Sequence, residues 1–136
     1  MLNKKIKLEK FITSIDTVPI LGENSLIKEA LEIMTKLQTG VCFCINKKKK
    51  LVGVLTDGDI RRKILNIQKP FSALLNDDLI IHVNKKTKKI LFNQNLNSAI
   101  NIMKKNRIWD LPVVDNNNRI TGMIHLHTIV KFLSRK

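Results

Sequence analysis

A chain of 136 residues and 15.6 kDa can form one compact domain or two small units that share a core. Its composition is 43% hydrophobic, but no apolar run approaches the ~18 to 20 residues that span a bilayer. The basic N-terminus lacks an apolar signal segment. Together these features predict a cytoplasmic protein without membrane contact. The net charge of +14 would attract polyanions, yet no aromatic residue is interleaved with the basic runs, which disfavours a nucleic-acid partner.

The first long element in chain order is an amphipathic helix, preceded by a short extended piece at 17–20. The i, i+3, i+4, i+7 spacing of one helical face is carried by Ile27, Ala30, Leu31 and Met34. We expect Ser25 to be the N-cap of this helix, because its hydroxyl can accept from a free backbone N–H.

A β-hairpin is predicted next, with strands at 41–45 and 51–56 and a solvated lysine tip at 47–50. Cys42 and Cys44 lie two residues apart in the first strand and lack the spacing of a redox motif or a zinc site. We therefore expect them to be buried thiols.

The second strand runs into the segment GVLTDGDIRR at 53–62, where a helix with apolar positions Ile60, Ile64 and Ile67 begins. Thr56 or Asp57 is a natural N-cap there, and the free N–H groups of a helix start attract anions. Gly58 keeps the approach open. In a site of this kind the Thr56 hydroxyl would donate to phosphate, while the Asp59 carboxylate would accept the two hydroxyls of a ribose.

Two cations follow in the first turns of this helix, and at least one of Arg61 and Arg62 could form a forked contact with a phosphate. The alternative is a capped strand-to-helix turn with an exposed arginine pair, because so short a motif also occurs by chance.

After this helix the chain repeats itself. Pro70 ends the helix and an ordered connector follows. A shift of 69 positions then brings Met34 onto Met103 and Gly53 onto Gly122. The second copy has an extended piece at 87–91, an N-cap at Asn95 and a helix through Leu96, Ala99, Ile100 and Met103. Its hairpin strands lie at 111–114 and 120–125, and its closing helix has apolar positions Ile129, Val130 and Leu133.

The tandem repeat, with GVLTDGDIRR in one copy and LPVVDNNNRITGMI in the other, resembles a pair of cystathionine-β-synthase (CBS) domains. The resemblance implies a mixed α/β (α+β) fold of two β-α-β-β-α units packed about a pseudo-two-fold axis, a Bateman module. It divides the chain into repeat 1 at 11–68, a connector at 69–82 and repeat 2 at 83–134.

In that family a glycine, a Thr or Ser and an Asp bind the ribose and phosphate of a ligand, and Gly53, Thr56 and Asp59 match the pattern. Further cleft positions carry over from the resemblance to Thr17, Val18, Gly40, Val41 and Cys42.

The second copy departs from the pattern, because His125 holds the hydroxyl position and Thr128 the acidic one. We expect one nucleotide site and a degenerate second cleft. His125 and His127 alternate as metal ligands can, but no third ligand is evident, so no metal is predicted.

Taken as a family member, the chain would be a non-catalytic regulatory module for AMP, ADP, ATP or a related nucleotide, and a homodimer. No catalytic residue is predicted, because the pairs Asp57/Asp59 and Asp77/Asp78 lie at wet turns rather than in a pocket.

The first copy and the ending GMIHLHTIV look most like the CBS pairs of arabinose 5-phosphate isomerase-type enzymes, and the first copy also resembles those of surface-glycan sugar-nucleotide transferases. A fused or separate sugar-phosphate enzyme is the implied partner, and this chain would be a stand-alone module or a piece of a larger enzyme. Two alternatives remain: a basic adaptor for nucleic acid or another polyanion, and a purely structural dimerisation module.

Overall fold

The computed structural model describes residues 6–66, 68 and 70–135, and its described part is a mixed α+β structure, as predicted. Its strands are β1 (Ile20–Gly22), β2 (Val41–Ile45), β3 (Leu51–Thr56), β4 (Ile90–Leu91), β5 (Asp110–Val114) and β6 (Ile120–His125). Its helices are α1 (Ile27–Leu37), α2 (Asp57–Asn66), α3 (Phe71–Leu75), α4 (Leu79–His82), α5 (Leu96–Asn106) and α6 (Leu126–Leu133). None of these helices is long and apolar enough to cross a membrane.

The duplication is visible in the two three-stranded sheets. In the order β1-β2-β3 the first pair is parallel and the second antiparallel, and β4-β5-β6 repeats this arrangement. Each hairpin carries its register shift at the same place, between Cys44 and Ile45 in one copy and between Val113 and Val114 in the other. Both predicted hairpins are therefore confirmed. The two hairpins also share an irregularity at equivalent positions.

The extended pieces before each copy are shorter and later than predicted. Residues 15–17 form a 3-10 turn, and β1 begins only at Ile20. The equivalent strand β4 has two residues, Ile90 and Leu91. Within the described ranges, each short strand pairs with the first strand of its hairpin and with no second strand.

Helix caps match the sequence prediction in one copy only. The side-chain oxygen of Asn95 accepts a hydrogen bond of 2.9 Å from the Ser98 N–H, as expected for an N-cap. Ser25 does not cap α1: the N-cap is Leu26, whose N–H donates to the Glu29 carboxylate at 2.9 Å. A glutamate at the third helical position thus replaces the hydroxyl cap.

The chain forms two compact units that cross the sequence repeats. One unit is Pro19–Thr87, and the other joins the residues up to Val18 to those from Lys88 on. Residues 11–18, at the start of repeat 1, therefore pack with the second repeat. Residues 83–87, at the start of repeat 2, pack with the first.

The segments that pack with the other repeat, residues 11–18 and 83–87, each contact a hairpin beside a glycine. In one unit the Thr13 N–H donates to the Met123 carbonyl at 2.9 Å, beside Gly122. In the other, the Asn84 N–H donates to the Val54 carbonyl at 2.8 Å, beside Gly53. Because Gly53 and Gly122 are equivalent in the repeat, each glycine lets a chain segment lie close to its hairpin.

Each unit has its own hydrophobic core. The core of the unit Pro19–Thr87 contains Ile27, Ala30, Met34, Cys42, Cys44, Leu55, Ile60 and Leu79. The core of the other unit contains Leu8, Phe11, Ile90, Leu96, Ala99, Met103, Leu111, Val113, Ile124 and Ile129. Both cysteines are buried free thiols, as predicted. Burial is the main cause that raises the pKa of Cys42 to about 12 and that of Cys44 to about 11.

The closing helices are less buried than their apolar spacing predicted. Ile60 and Ile129 are buried, with 8% and 2% of their surface exposed. Ile64, Val130 and Leu133 are each about half exposed, and Ile67 lies outside the described residues. Each helix thus buries one of its predicted apolar positions, and the other described positions are about half exposed in the part of the chain that the structure covers.

Candidate functional site

The junction between β3 and α2 is closed by a reciprocal pair of hydrogen bonds. Thr56 Oγ1 accepts from the Asp59 N–H at 3.1 Å, and Asp59 Oδ2 accepts from the Thr56 N–H at 3.1 Å. This arrangement is a capping box with Asp in the place of the usual Glu. Thr56, rather than Asp57, is therefore the N-cap. Its hydroxyl hydrogen is still available to a ligand, because its oxygen acts here only as an acceptor.

Asp59 carries two interactions and has capacity for two more. Its Oδ2 receives the Thr56 N–H, and its Oδ1 receives Arg62 Nη2 at 2.9 Å. An ionised carboxylate can accept about four hydrogen bonds, so each oxygen keeps one free site. The Thr56 N–H and Arg62 hold the two carboxylate oxygens in position, and two adjacent acceptors suit a pair of neighbouring hydroxyl groups such as a ribose diol.

Arg62 folds back over the start of the helix. A Cβ atom placed on Gly58 would lie 3.2 Å from both terminal guanidinium nitrogens of Arg62. Among the described residues the Gly58 amide donates to no acceptor. The guanidinium and this N–H therefore lie on the same turn as the Thr56 hydroxyl, and all three can donate to an anion.

Gly40 and Asp57 form the other side of the junction. The Asp57 N–H donates to the Gly40 carbonyl at 3.0 Å, and a Cβ on Gly40 would lie 3.0 Å from Asp57 Oδ2. Val41 is the register partner of Thr56 at the start of β2. The structure thus brings Gly40, Val41, Thr56, Asp57, Gly58, Asp59 and Arg62 together around one turn.

The remaining predicted residues lie elsewhere in the fold. Cys42 is fully buried in a hydrophobic core, and Gly53 is packed against Val83 and Asn84. Arg61 is exposed on α2. Thr17 and Val18 belong to the other compact unit, where Thr17 Oγ1 donates to the Ser14 carbonyl at 2.8 Å and Val18 is buried.

The equivalent junction of the second repeat is built differently. The Leu126 N–H donates to the Trp109 carbonyl at 2.8 Å, just as Asp57 donates to Gly40. Trp109, with 74% of its surface exposed, therefore stands where the first copy has a glycine. His125 makes no capping hydrogen bond, and its Nδ1 pairs with Asp110 across the hairpin. Thr128 stands in the first turn of α6, at the position of Asp59, so this copy has no capping box.

Asp110 pairs with His125 at the second junction, and the sequence prediction did not include it. It is the register partner of His125, as Val41 is of Thr56, so the repeat shift itself contains the signal. The hydrogen bond from Asp110 is the main cause that raises the pKa of His125 above its usual 6.5; its charge adds to this, and partial burial opposes it.

We predict that this pair makes stability depend on pH. Because His125 has a raised pKa in the folded state, the stabilisation is complete below the ordinary pKa of 6.5 and is lost as the pH rises through the folded-state value. Urea unfolding at both ends of this range should show a smaller pH dependence for Asp110→Asn than for the wild type. His127→Asn, which changes an exposed imidazole two residues away, is the control. An unchanged pH dependence in Asp110→Asn would contradict the assignment.

A second imidazole and carboxylate pair lies in the connector. His82 is buried, and its Nε2 is 2.7 Å from Asp77 Oδ2. The Nδ1 of His82 has no hydrogen-bond partner in the described part of the chain. Among the described residues, no group of three or more His, Cys, Asp or Glu side chains is placed to hold a metal.

Comparison with known proteins bears on both repeats. The family model for the CBS domain matches residues 12–66 and 80–135. The uncharacterised protein RP505 of Rickettsia prowazekii is 30% identical over 127 residues, which is 91% of this chain. The arabinose 5-phosphate isomerase KdsD of Francisella tularensis is 26% identical over 130 residues, or 93% of this chain. The chain spans 37% of the length of each of these relatives.

Solved structures share the fold at lower identity. CBSX2, crystallised in complex with AMP, has a TM-score of 0.81 at 20% identity and covers 94% of this chain and 96% of its own. The CBS domain pair of MJ0100, in complex with 5′-methylthioadenosine and S-adenosyl-L-methionine, has a TM-score of 0.78 at 18% identity and covers 93% of this chain and 94% of its own.

Proposed function

The chain belongs to the CBS domain family as a tandem pair, and from that premise we propose that it is a non-catalytic regulatory module that binds an adenine nucleotide at the β3–α2 junction. The observation that carries the proposal is the capping box of Thr56 and Asp59. It orients a carboxylate with two free acceptor sites beside three anion-directed donors. Ribose hydroxyls would bind Asp59, and phosphate would bind Thr56, the Gly58 N–H and Arg62.

The ligands of similar structures support this assignment. CBSX2 is complexed with AMP and MJ0100 with two adenosine derivatives, and all of these ligands share an adenosine group. A carboxylate that accepts from both ribose hydroxyls fits that common group. A regulatory ligand of AMP, ADP or ATP type therefore agrees with the chemistry of the junction.

A binding role also fits the state of the acidic residues better than acid-base catalysis does. Asp59 holds the helix cap and an ion pair, and Asp77 pairs with His82. A general acid or base must exchange protons with a substrate, which carboxylates committed to structural bonds do poorly.

The proposed partner is a sugar-phosphate enzyme, fused or separate. The similarity to an arabinose 5-phosphate isomerase supports a partner of this class. The match covers 37% of the length of that enzyme. Ligand binding would favour one of two conformations, and the partner would respond to that shift. Homodimerisation would use the uncovered apolar faces of α2 and α6, where Ile64, Leu65, Val130 and Leu133 are all about half exposed or more.

We predict saturable binding of AMP with a weak dependence on salt. The test is calorimetric titration of AMP and of a random oligonucleotide, in parallel, at two salt concentrations. One phosphate group contributes a shallow salt slope, whereas an oligonucleotide that neutralises many phosphates gives a steep one. Binding to the oligonucleotide alone, lost at high salt, would favour the basic adaptor suggested by the charge of +14. Binding to neither would leave a structural dimerisation module.

A further inference from the structure

Arg62 has a position that its neighbour Arg61 does not share. One guanidinium nitrogen is 2.9 Å from Asp59 Oδ1, and a Cβ atom placed on Gly58 would lie 3.2 Å from both terminal nitrogens. The side chain is still 58% exposed. Of the five N–H donors of the guanidinium, the described contacts use one, so the others remain available at the surface of the junction.

The ion pair fixes a cation beside the acceptor for ribose before any ligand arrives. A free arginine side chain loses considerable rotamer freedom when it binds a ligand, and a pre-formed contact reduces that cost. A nucleoside that places its diol on Asp59 carries its 5′ substituent on the same sugar. In the proposed binding mode that substituent lies toward Arg62, the Gly58 N–H and the Thr56 hydroxyl, which share one helical turn with Asp59.

We infer that Arg62 is the specificity-determining residue of this site and selects ligands with a phosphate on the ribose 5′ carbon over adenosine derivatives without one. The inference rests on the proposed function. A neutral 5′ substituent leaves the guanidinium without a new partner, and a cationic one is repelled by it. A phosphate gains charge-assisted hydrogen bonds that adenosine cannot form, which corresponds to roughly a tenfold to hundredfold difference in affinity.

The second repeat shows that this arrangement is not a general consequence of the fold. A shift of 69 positions places Lys131 at the position of Arg62 and Thr128 at that of Asp59. Thr128 has no carboxylate to hold a cation over the helix start. His127 stands at the position of Gly58, so this copy also lacks the glycine against which the guanidinium lies in the first copy. The phosphate-selective site is therefore confined to the first repeat.

The experiment compares AMP, adenosine and 5′-methylthioadenosine by calorimetry on three proteins: the wild type, Arg62→Gln and Arg61→Gln. Arg61→Gln is the matched control, because it removes the same charge one residue away on the same exposed helix. The Arg62 ion pair is an exposed helix-surface pair and adds little stability, so Arg62→Gln should fold normally.

The wild type and Arg61→Gln should prefer AMP over adenosine by about tenfold or more. In Arg62→Gln that preference should fall to within a few-fold, with adenosine affinity nearly unchanged. If the wild type binds AMP and adenosine equally, the nucleotide site stands and the selectivity inference is wrong. An equal loss in both variants would also overturn it, because only net charge would matter. Failure of all three ligands to bind the wild type would reject the proposed site and the inference together.

Discussion

Replacing Gly122 by alanine should lower the free energy of unfolding by about 3 kcal/mol, near the upper end of the usual cost of overpacking. An added Cβ would overlap Ile12 Cγ2 and lie 2.5 Å from the Thr13 carbonyl oxygen. The Thr13 backbone cannot easily retreat, since its N–H and its hydroxyl both donate to the Met123 carbonyl, at 2.9 and 3.1 Å. None of the described glycines has a positive φ, so the expected cost is steric rather than conformational.

Gly53→Ala should be costly for the same reason. Its Cβ would lie 2.7 Å from Val83 Cγ2 and 2.9 Å from the Asn84 carbonyl oxygen. Gly22→Ala is the matched control, because nothing lies within 4 Å of its added Cβ. Urea unfolding of the three variants should therefore separate Gly122 and Gly53 from Gly22. A cost for Gly122→Ala no larger than that for Gly22→Ala would contradict the packing interpretation.

These glycines also illustrate the limits of sequence reasoning. The family pattern assigned Gly53 to a ligand site, which stays a prediction, and it did not indicate that Val83 and Asn84 from the start of the other repeat lie against this glycine. Periodicity is a local signal, and it predicted the hairpins and the long helices well. The contacts of Thr13 and Asn84 join residues far apart in the chain, and no spacing within either segment indicates them.

The candidate site was predictable in its residue types but not in its connections. Thr56 and Asp59 stood out because the second copy lacks both. Their mutual hydrogen bonds, and the choice of Arg62 over Arg61 as the partner of Asp59, depend on the direction of side chains on one helical turn. Residues three apart meet on a helix surface, which in retrospect favours the pair Asp59 and Arg62.

The second junction was correctly expected to differ, but its chemistry was missed. Trp109 and Asp110 occupy the positions of Gly40 and Val41 under the shift of 69 residues, but the pairing of Asp110 with His125 across the hairpin is visible only once the register is known. An indole at a glycine position and an imidazole paired with a carboxylate leave no capping box there. This asymmetry supports a single nucleotide site in the chain.

Asp59→Asn should weaken AMP binding by about a hundredfold while leaving the fold intact. The asparagine oxygen can still accept the Thr56 N–H, so most of the helix cap survives. The amide cannot hold Arg62 as an anion does, and its NH2 group cannot accept a ribose hydroxyl. One substitution therefore removes one of the two acceptors for the diol and also releases the cation proposed to bind phosphate. Calorimetric titration with AMP measures the loss, and thermal unfolding measures the fold.

Asp115→Asn is the control for the change in net charge. The first repeat has an asparagine at the equivalent position, which shows that the turn tolerates this substitution. Asp115 accepts the Asn117 and Arg119 N–H groups at 2.8 and 3.0 Å in the tip of its hairpin. Asn46, at the equivalent position, accepts the Lys48 and Lys50 N–H groups at 2.9 and 3.0 Å. The same turn thus forms with either residue, and Asp115→Asn changes the net charge as Asp59→Asn does without touching the junction. If both variants bound AMP as the wild type does, Asp59 would not be the ribose acceptor. Each substitution makes the protein one charge more positive, which by itself favours an anionic ligand, so an equal loss of AMP binding in both variants would also contradict a contact specific to Asp59.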